Sequence, residues 1–173
     1  MTTLAASLIN AQPRLPAIFV LLVSAAALII AYLSQVWGGL EPCILCIYQR
    51  YVYAAAAAVG LVGALLDRPA LGRPVMLLAG LVFLAGLGIS IFHVGVEQHW
   101  WRGTDGCHAP AIDLTQSLDS LREQMLDTSF VPCDEISWSL FGISMAGYNA
   151  IVSLGLALAS FWAAGQLKTR GAA

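Results

Sequence analysis

The stretch AIFVLLVSAAALIIAYLSQV, running from Ala17 to Val36, carries no charged side chain from end to end. As a helix rising about 1.5 Å per residue it is long enough to cross roughly 30 Å of hydrocarbon. It also exceeds the usual apolar core of about 7 to 15 residues in a cleaved signal peptide, so it is expected to stay in the mature chain. Working outward, Val75 to Val96 and Ile143 to Ala164 are equally free of charge. A further span, Cys46 to Leu66, carries Arg50 near one end, and its uncharged remainder suffices only if that arginine lies near the headgroups. The reading is an all-α membrane protein, a four-transmembrane-helix bundle with spans at about 17–36, 46–66, 75–96 and 143–164. A short first outer loop, about 37–45, and a long second one, about 97–142, separate them. With 59% hydrophobic residues, 10% charged residues and a mean hydropathy of +0.79, the composition excludes a water-soluble globule. No linker or second domain is visible, so residues 1–173 read as a single integral-membrane domain. The lipid bilayer is the expected surrounding, and no nucleic-acid partner is expected.

Charge sets the orientation, because short cytoplasmic loops collect Lys and Arg. Arg14, Arg68, Arg73, Lys168 and Arg170 fall on one side, whereas Glu41, Glu97, Asp105, Asp113, Asp119, Glu123, Asp127, Asp134 and Glu135 outnumber Arg102 and Arg122 on the other. Both termini are therefore expected in the cytoplasm and all four cysteines at or beyond the outer boundary, where disulfides persist. Tyr32, Trp37, Tyr48, Trp100, Trp101, Trp138 and Phe141 fall at the same level, as an anchoring aromatic belt does. The run Ala54 to Ala58 and Gly60, Gly63, Gly80, Gly86, Gly88, Gly147 and Gly155 suit close helix packing. Residues Asp67 to Pro74 read as a short cytoplasmic turn bounded by prolines. In the second outer loop Leu114, Leu118, Leu121 and Met125 recur at helical spacing, with Asp113 and Gln116 as a capping box, which predicts a short amphipathic helix at the membrane surface.

The chemistry gathers at Pro42-Cys43-Ile44-Leu45-Cys46-Ile47-Tyr48-Gln49-Arg50. On a helix Cys43, Cys46 and Arg50 share one face. Pro42 suits a first turn, so both sulfurs are expected near an N-terminus whose free N–H groups favour a thiolate. Such surroundings lower a cysteine pKa to about 3.5 to 7.5 from about 8.5. Arginine inside the apolar zone costs up to about 2.5 to 3.5 kcal/mol and so calls for a partner, which a thiolate or a polar quinone head would supply. The same spacing also occurs in zinc sites, but Cys107 and Cys133 form no second Cys-x-x-Cys. None of His93, His99 and His108 completes a standard ligand pattern, so no metal is expected. Two inert structural disulfides would equally explain an even number of cysteines.

Together with a second outer loop carrying one cysteine in each half, this string resembles the DsbB family of bacterial disulfide-generating membrane proteins. The similarity spans nearly the whole chain and includes the Trp138 to Asn149 approach to the last helix. What it implies is an electron route from a reduced thioredoxin-like periplasmic dithiol oxidase (DsbA-like) to a membrane quinone, ubiquinone or menaquinone, at the bacterial inner membrane. In that scheme the partner thiolate attacks Cys107, Cys133 exchanges with the inner pair through Cys43, and Cys46 delivers electrons to quinone held near Arg50. Gln49 matches the same quinone-side motif and His93 is a further candidate, while docking is expected around Ala109 and Pro110. Three rivals differ in readable ways. A vitamin K epoxide reductase-like enzyme carries its Cys-x-x-Cys after the loop pair, a scaffold with two structural bridges exchanges no thiols, and a transporter needs more midplane polarity than Ser24, Ser90 and Ser153.

Overall fold

The computed structural model describes residues 7, 9, 11–66, 68–107 and 131–167. Four long helices dominate them: α1 (Leu15–Val36), α2 (Ile44–Leu66), α3 (Pro69–Glu97) and α4 (Met145–Gln166). Each is long and apolar enough to span a bilayer. A single 3₁₀ turn (Asp105–Cys107) follows α3, and a two-stranded antiparallel hairpin, β1 (Ser139–Leu140) with β2 (Ile143–Ser144), leads into α4. The amphipathic helix expected around Leu114 to Met125 lies outside the described residues, as do Ala109 and Pro110.

The helix ends explain where the boundaries differ from the sequence reading. Helix α3 begins at Pro69, well before Val75, because a proline at the first helical positions lacks only an N–H that has no partner there anyway. Pro74 therefore sits inside the helix, and most of the expected turn is helical. At its far end α3 closes in a Schellman motif: Trp100 N–H reaches Gly95 C=O at 2.8 Å and His99 N–H reaches Val96 C=O at 3.0 Å. His99 takes the left-handed conformation, φ 58, that glycine usually supplies. This reversal lays Trp101 back over α3, where its Nε1–H donates to Phe92 C=O at 2.9 Å and its ring stacks on Phe92. Gly95 makes the room, since a Cβ there would stand 2.0 Å from the Trp101 ring.

The hairpin was not foreseen. Phe141 and Gly142 both have positive φ, 51 and 77, as a type I′ turn requires, and Leu140 pairs with Ile143 across it. It shifts the start of α4 from Ile143 to Met145, with Ser144 as the N-cap accepting the Gly147 N–H at 3.1 Å.

Helices α3 and α4 share the most extensive contact, followed by α1 with α2 and α2 with α3. Backbones approach closely at a few small residues: a Cβ on Gly60 would stand 2.7 Å from Leu21 N and 2.8 Å from Ala17 O, and one on Gly80 would meet the Phe161 ring at 2.7 Å. Gly63 and Gly86 play the same part against Val75 and Val52. Gly88 and Gly155 do not, having no neighbour near the position of a Cβ, and of Ala54 to Ala58 only Ala56 is fully buried. The core runs through Val20, Tyr53, Ala56, Met76, Ala79, Phe83, Leu156 and Ala157. Part of the midplane polarity is tied up internally: Tyr53 O–H donates to Asn149 Oδ1 at 2.6 Å, Asn149 Nδ2 to Ser90 Oγ at 2.8 Å, and Ser90 O–H to Gly86 C=O at 2.8 Å, whereas the buried hydroxyls of Ser24 and Ser153 find no hydrogen-bond partner among the described residues. Tyr32, Trp37, Tyr48, Trp100, Trp101, Trp138 and Phe141 are all exposed, as membrane-boundary aromatics are.

Candidate active site

Cys43 stands immediately before the first residue of α2, so it occupies the N-cap position rather than the first turn. Its sulfur accepts the Cys46 backbone N–H at 3.4 Å, replacing the oxygen of an ordinary cap, and its carbonyl accepts the Ile47 N–H. One turn on, the Cys46 sulfur lies 3.0 Å from that of Cys43, and both are free thiols. Cys43 is buried at 5% exposure, whereas Cys46 is half-buried. The hydrogen bond to the Cys46 side chain lowers the Cys43 pKa most, burial opposes it, and His93 and the Cys46 N–H lower it further. The result is a thiol drawn down from 9.0 to about 4.

From α3, His93 enters this site. Its Nε2 is 3.5 Å from the Cys43 sulfur, and its Nδ1 is 3.3 Å from the side-chain amide of buried Gln49. One turn beyond His93 is Glu97, placed with the loop acids by sequence but in fact the last residue of α3 and only 7% exposed. Its Oε1 lies 3.9 Å from His93 Nε2, and its Oε2 accepts a hydrogen bond from the Ser144 hydroxyl. Gln49, His93, Glu97 and Ser144 thus form one buried polar chain joining α2, α3 and the start of α4. Sequence reasoning missed Glu97 and Ser144. The spacing of four between His93 and Glu97 was the available signal, because it puts both on one helix face.

Arg50 points elsewhere. Its Nη1 donates to Gln35 Oε1 at 2.7 Å, its Nη2 to Ala31 C=O at 3.2 Å, and its guanidinium covers the Tyr32 ring at 5.1 Å. The cation therefore finds its partners at the C-terminal end of α1, where helix carbonyls favour positive charge, rather than on a thiolate. Those bonds use two of its five N–H groups.

Cys107 and Cys133 are joined in a disulfide. Both are buried, at 2% and 0% exposure, and they share one apolar cluster with Cys43, Leu45 and Val96, against which Cys46 and Phe92 pack. Gly103 lets the loop close there, since a Cβ on it would stand 2.6 Å from that of Cys107. His99 is exposed and reaches Asp134 at 3.9 Å, away from the cysteines.

Comparison with known proteins agrees with this arrangement. The family model for disulfide bond formation protein DsbB matches residues 13–163. The disulfide bond formation protein B of Xanthomonas axonopodis pv. citri is 34% identical over 145 residues, covering 82% of this chain and 84% of the relative. That of Pasteurella multocida is 34% identical over 140 residues, covering 76% and 75%. The Nitrosococcus oceani protein is 33% identical over 145 residues, covering 82% and 85%. No solved structure matches the chain with significance. A multi-pass membrane protein with two cysteine pairs in one buried cluster, matched along most of its length by this family, is a disulfide-forming oxidoreductase and belongs to the DsbB family.

Proposed function

We propose that the chain reoxidises a thioredoxin-like periplasmic dithiol oxidase and passes the two electrons to membrane quinone, ubiquinone or menaquinone. The supporting observation is that one buried cluster gathers two cysteine pairs, one bonded and one with its sulfurs 3.0 Å apart. The whole chain acts as one membrane domain in the bacterial inner membrane. Both termini are cytoplasmic and the cysteines periplasmic, in keeping with Arg14, Arg68 and Arg73 at the opposite end.

The donor thiolate attacks the Cys107 sulfur, the Cys107–Cys133 bond breaks, and Cys133 leaves as a thiolate. The donor's second thiol resolves the mixed disulfide, so the donor departs oxidised and Cys107 is reduced. Cys133 then attacks Cys43 of the oxidised inner pair and displaces Cys46. Cys107 closes on Cys133, which releases Cys43. Two electrons now reside on Cys43 and Cys46. Cys43 and Cys46 would close again to a disulfide by giving up those two electrons, with two protons, to a quinone held beside them.

The chain's own groups fit that acceptor. Cys46 is the more exposed residue of the inner pair, Arg50 has N–H groups beyond those used on α1, and Gln49 adds an amide within one turn. His93 Nε2 faces Cys43 Sγ and favours its thiolate, while Gln49 fixes the ring from Nδ1. Because Cys107 and Cys133 are buried, attack by a partner requires the Cys107 sulfur to become exposed first.

The test is quinone reduction by purified protein in detergent with a reduced thioredoxin-like donor. Turnover in the unmodified chain that vanishes in Cys46→Ser supports the assignment. No turnover with several quinones and donors would leave two structural disulfides as the better account.

A further inference from the structure

The sequence argues against a metal because no histidine stands at a ligand spacing from the cysteines, yet the fold carries His93 from α3 to the Cys43–Cys46 pair. The Cys43 and Cys46 sulfurs and a ring nitrogen of His93 all lie within 4.8 Å of one another. The 3.5 Å from Cys43 Sγ to His93 Nε2 falls within the roughly 3.3 to 3.8 Å that bonds of about 2.0 to 2.3 Å give around a tetrahedral ion, whereas the sulfurs, 3.0 Å apart, would have to part by about 0.8 Å to admit one. A fourth donor stands beside this group: Glu97 Oε1 is 3.9 Å from Nε2 but lies outside the set of mutually close ligand atoms, so the carboxylate would have to swing toward the sulfurs to join an ion there. Two thiolates, an imidazole and a carboxylate make a donor set suited to zinc and softer divalent ions.

The supports a metal site needs are also present. A ligating histidine is held by a partner on its other ring nitrogen, and Gln49 occupies that place at 3.3 Å from Nδ1. A ligating carboxylate is oriented through its free oxygen, and Ser144 holds Glu97 Oε2 while itself fixed by the Gly147 N–H. Glu97 and His93 are both buried, so neither is a solvated surface group that happens to face the sulfurs.

We infer that the reduced Cys43–Cys46 pair, with His93 and Glu97, is a binding site for a zinc-class divalent ion. Binding releases to solvent the protons still on the two thiols. The site exists only in the reduced state, because disulfide sulfurs offer no thiolate to a metal. Metal and electron acceptor therefore compete for the same pair of sulfurs, and a bound ion holds the inner pair reduced.

The experiment uses the full chain in detergent with Cys107→Ser and Cys133→Ser, so that only the inner pair can contribute thiolates. The reduced protein is titrated with Co²⁺ alone, and Zn²⁺ is then added to displace it. The expected result is one equivalent of Co²⁺ with sulfur-to-cobalt charge-transfer absorption and the intense visible bands of a tetrahedral ion, all lost on oxidation of the pair. His93→Gln should weaken binding at least about tenfold and Glu97→Gln about tenfold. Absence of the charge-transfer absorption, weak octahedral-type bands, or equal affinity in both variants and their parent would overturn the site and leave a bare dithiol. Neither donor nor quinone enters this measurement, so its failure and the failure of quinone turnover are separate results.

Discussion

The two cysteine pairs lie in one apolar cluster but are held by different means. Cys43 and Cys46 are one turn apart at the start of a long helix, fixed by the helix itself, by His93 and by the packing of α3 residues Phe92 and Val96. Cys107 sits in a single 3₁₀ turn, and Cys133 is 26 residues further along the chain in a segment without regular structure. A sulfur on a helix keeps its place, whereas a sulfur on loop backbone can travel with few hydrogen bonds to break. On the proposed route the comparison implies a division of labour: the loop pair would carry disulfide exchange outward, and the helix pair would stay where electrons leave.

The sharpest way to break that division is Cys46→Ser, which should reduce quinone turnover by at least about 10³-fold while the Cys107–Cys133 bond still forms, as gel-shift thiol trapping would report. Nearly as large is the effect of Cys107→Ser on oxidation of a protein donor. Here a small thiol should still reduce the inner pair and quinone should still be consumed; loss of both activities would mean that the pairs do not act in sequence. Arg50→Ala should raise the KM for quinone about tenfold to a hundredfold, the equivalent of one charge-assisted hydrogen bond, with a much smaller change in kcat. The inner pair's electrostatics can be read directly from thiolate absorbance in the reduced chain carrying Cys107→Ser and Cys133→Ser. A thiol is ionised above its pKa, so the Cys43 signal should persist through neutral pH and fall only as pH drops toward about 4, rather than disappearing below 9.0. Cys43→Ser should remove it. The smallest effect is expected from Gly60→Ala, where the new methyl meets α1 backbone that cannot turn aside. It should cost about 1 to 3 kcal/mol, seen as a lower melting temperature in detergent, with the KM for quinone unchanged.

The spans were legible because hydrocarbon thickness dictates apolar length, and the cysteine motif because its spacing is local. Boundaries were less so. Pro69 and Pro74 read as turn residues, yet the first turns of a helix tolerate proline, and Phe141-Gly142 gave little warning of a hairpin. Small residues told which helices can approach closely but not which face does so, so Gly60 packs while Gly88 does not. His93 was visible as an intramembrane histidine without an assigned contact. Glu97 was taken for a loop charge because nothing local says that α3 continues through it or that Ser144, 47 residues later, will cover it. Arg50 was expected to meet a thiolate or a quinone head; the protein partners it has, Ala31, Tyr32 and Gln35, belong to another helix whose register a single sequence does not show.

Ser144 does two things at once: it caps the last helix and grips Glu97. Membrane helices are made in order from the N-terminus, so α3 is complete, with its terminal carboxylate uncovered, before α4 exists. Only when the last span arrives does the Glu97 carboxylate gain its hydroxyl. Assembly of the redox centre is therefore timed to the emergence of α4, and a chain stopped before Ser144 carries Cys43, Cys46 and His93 without the residue that completes their support.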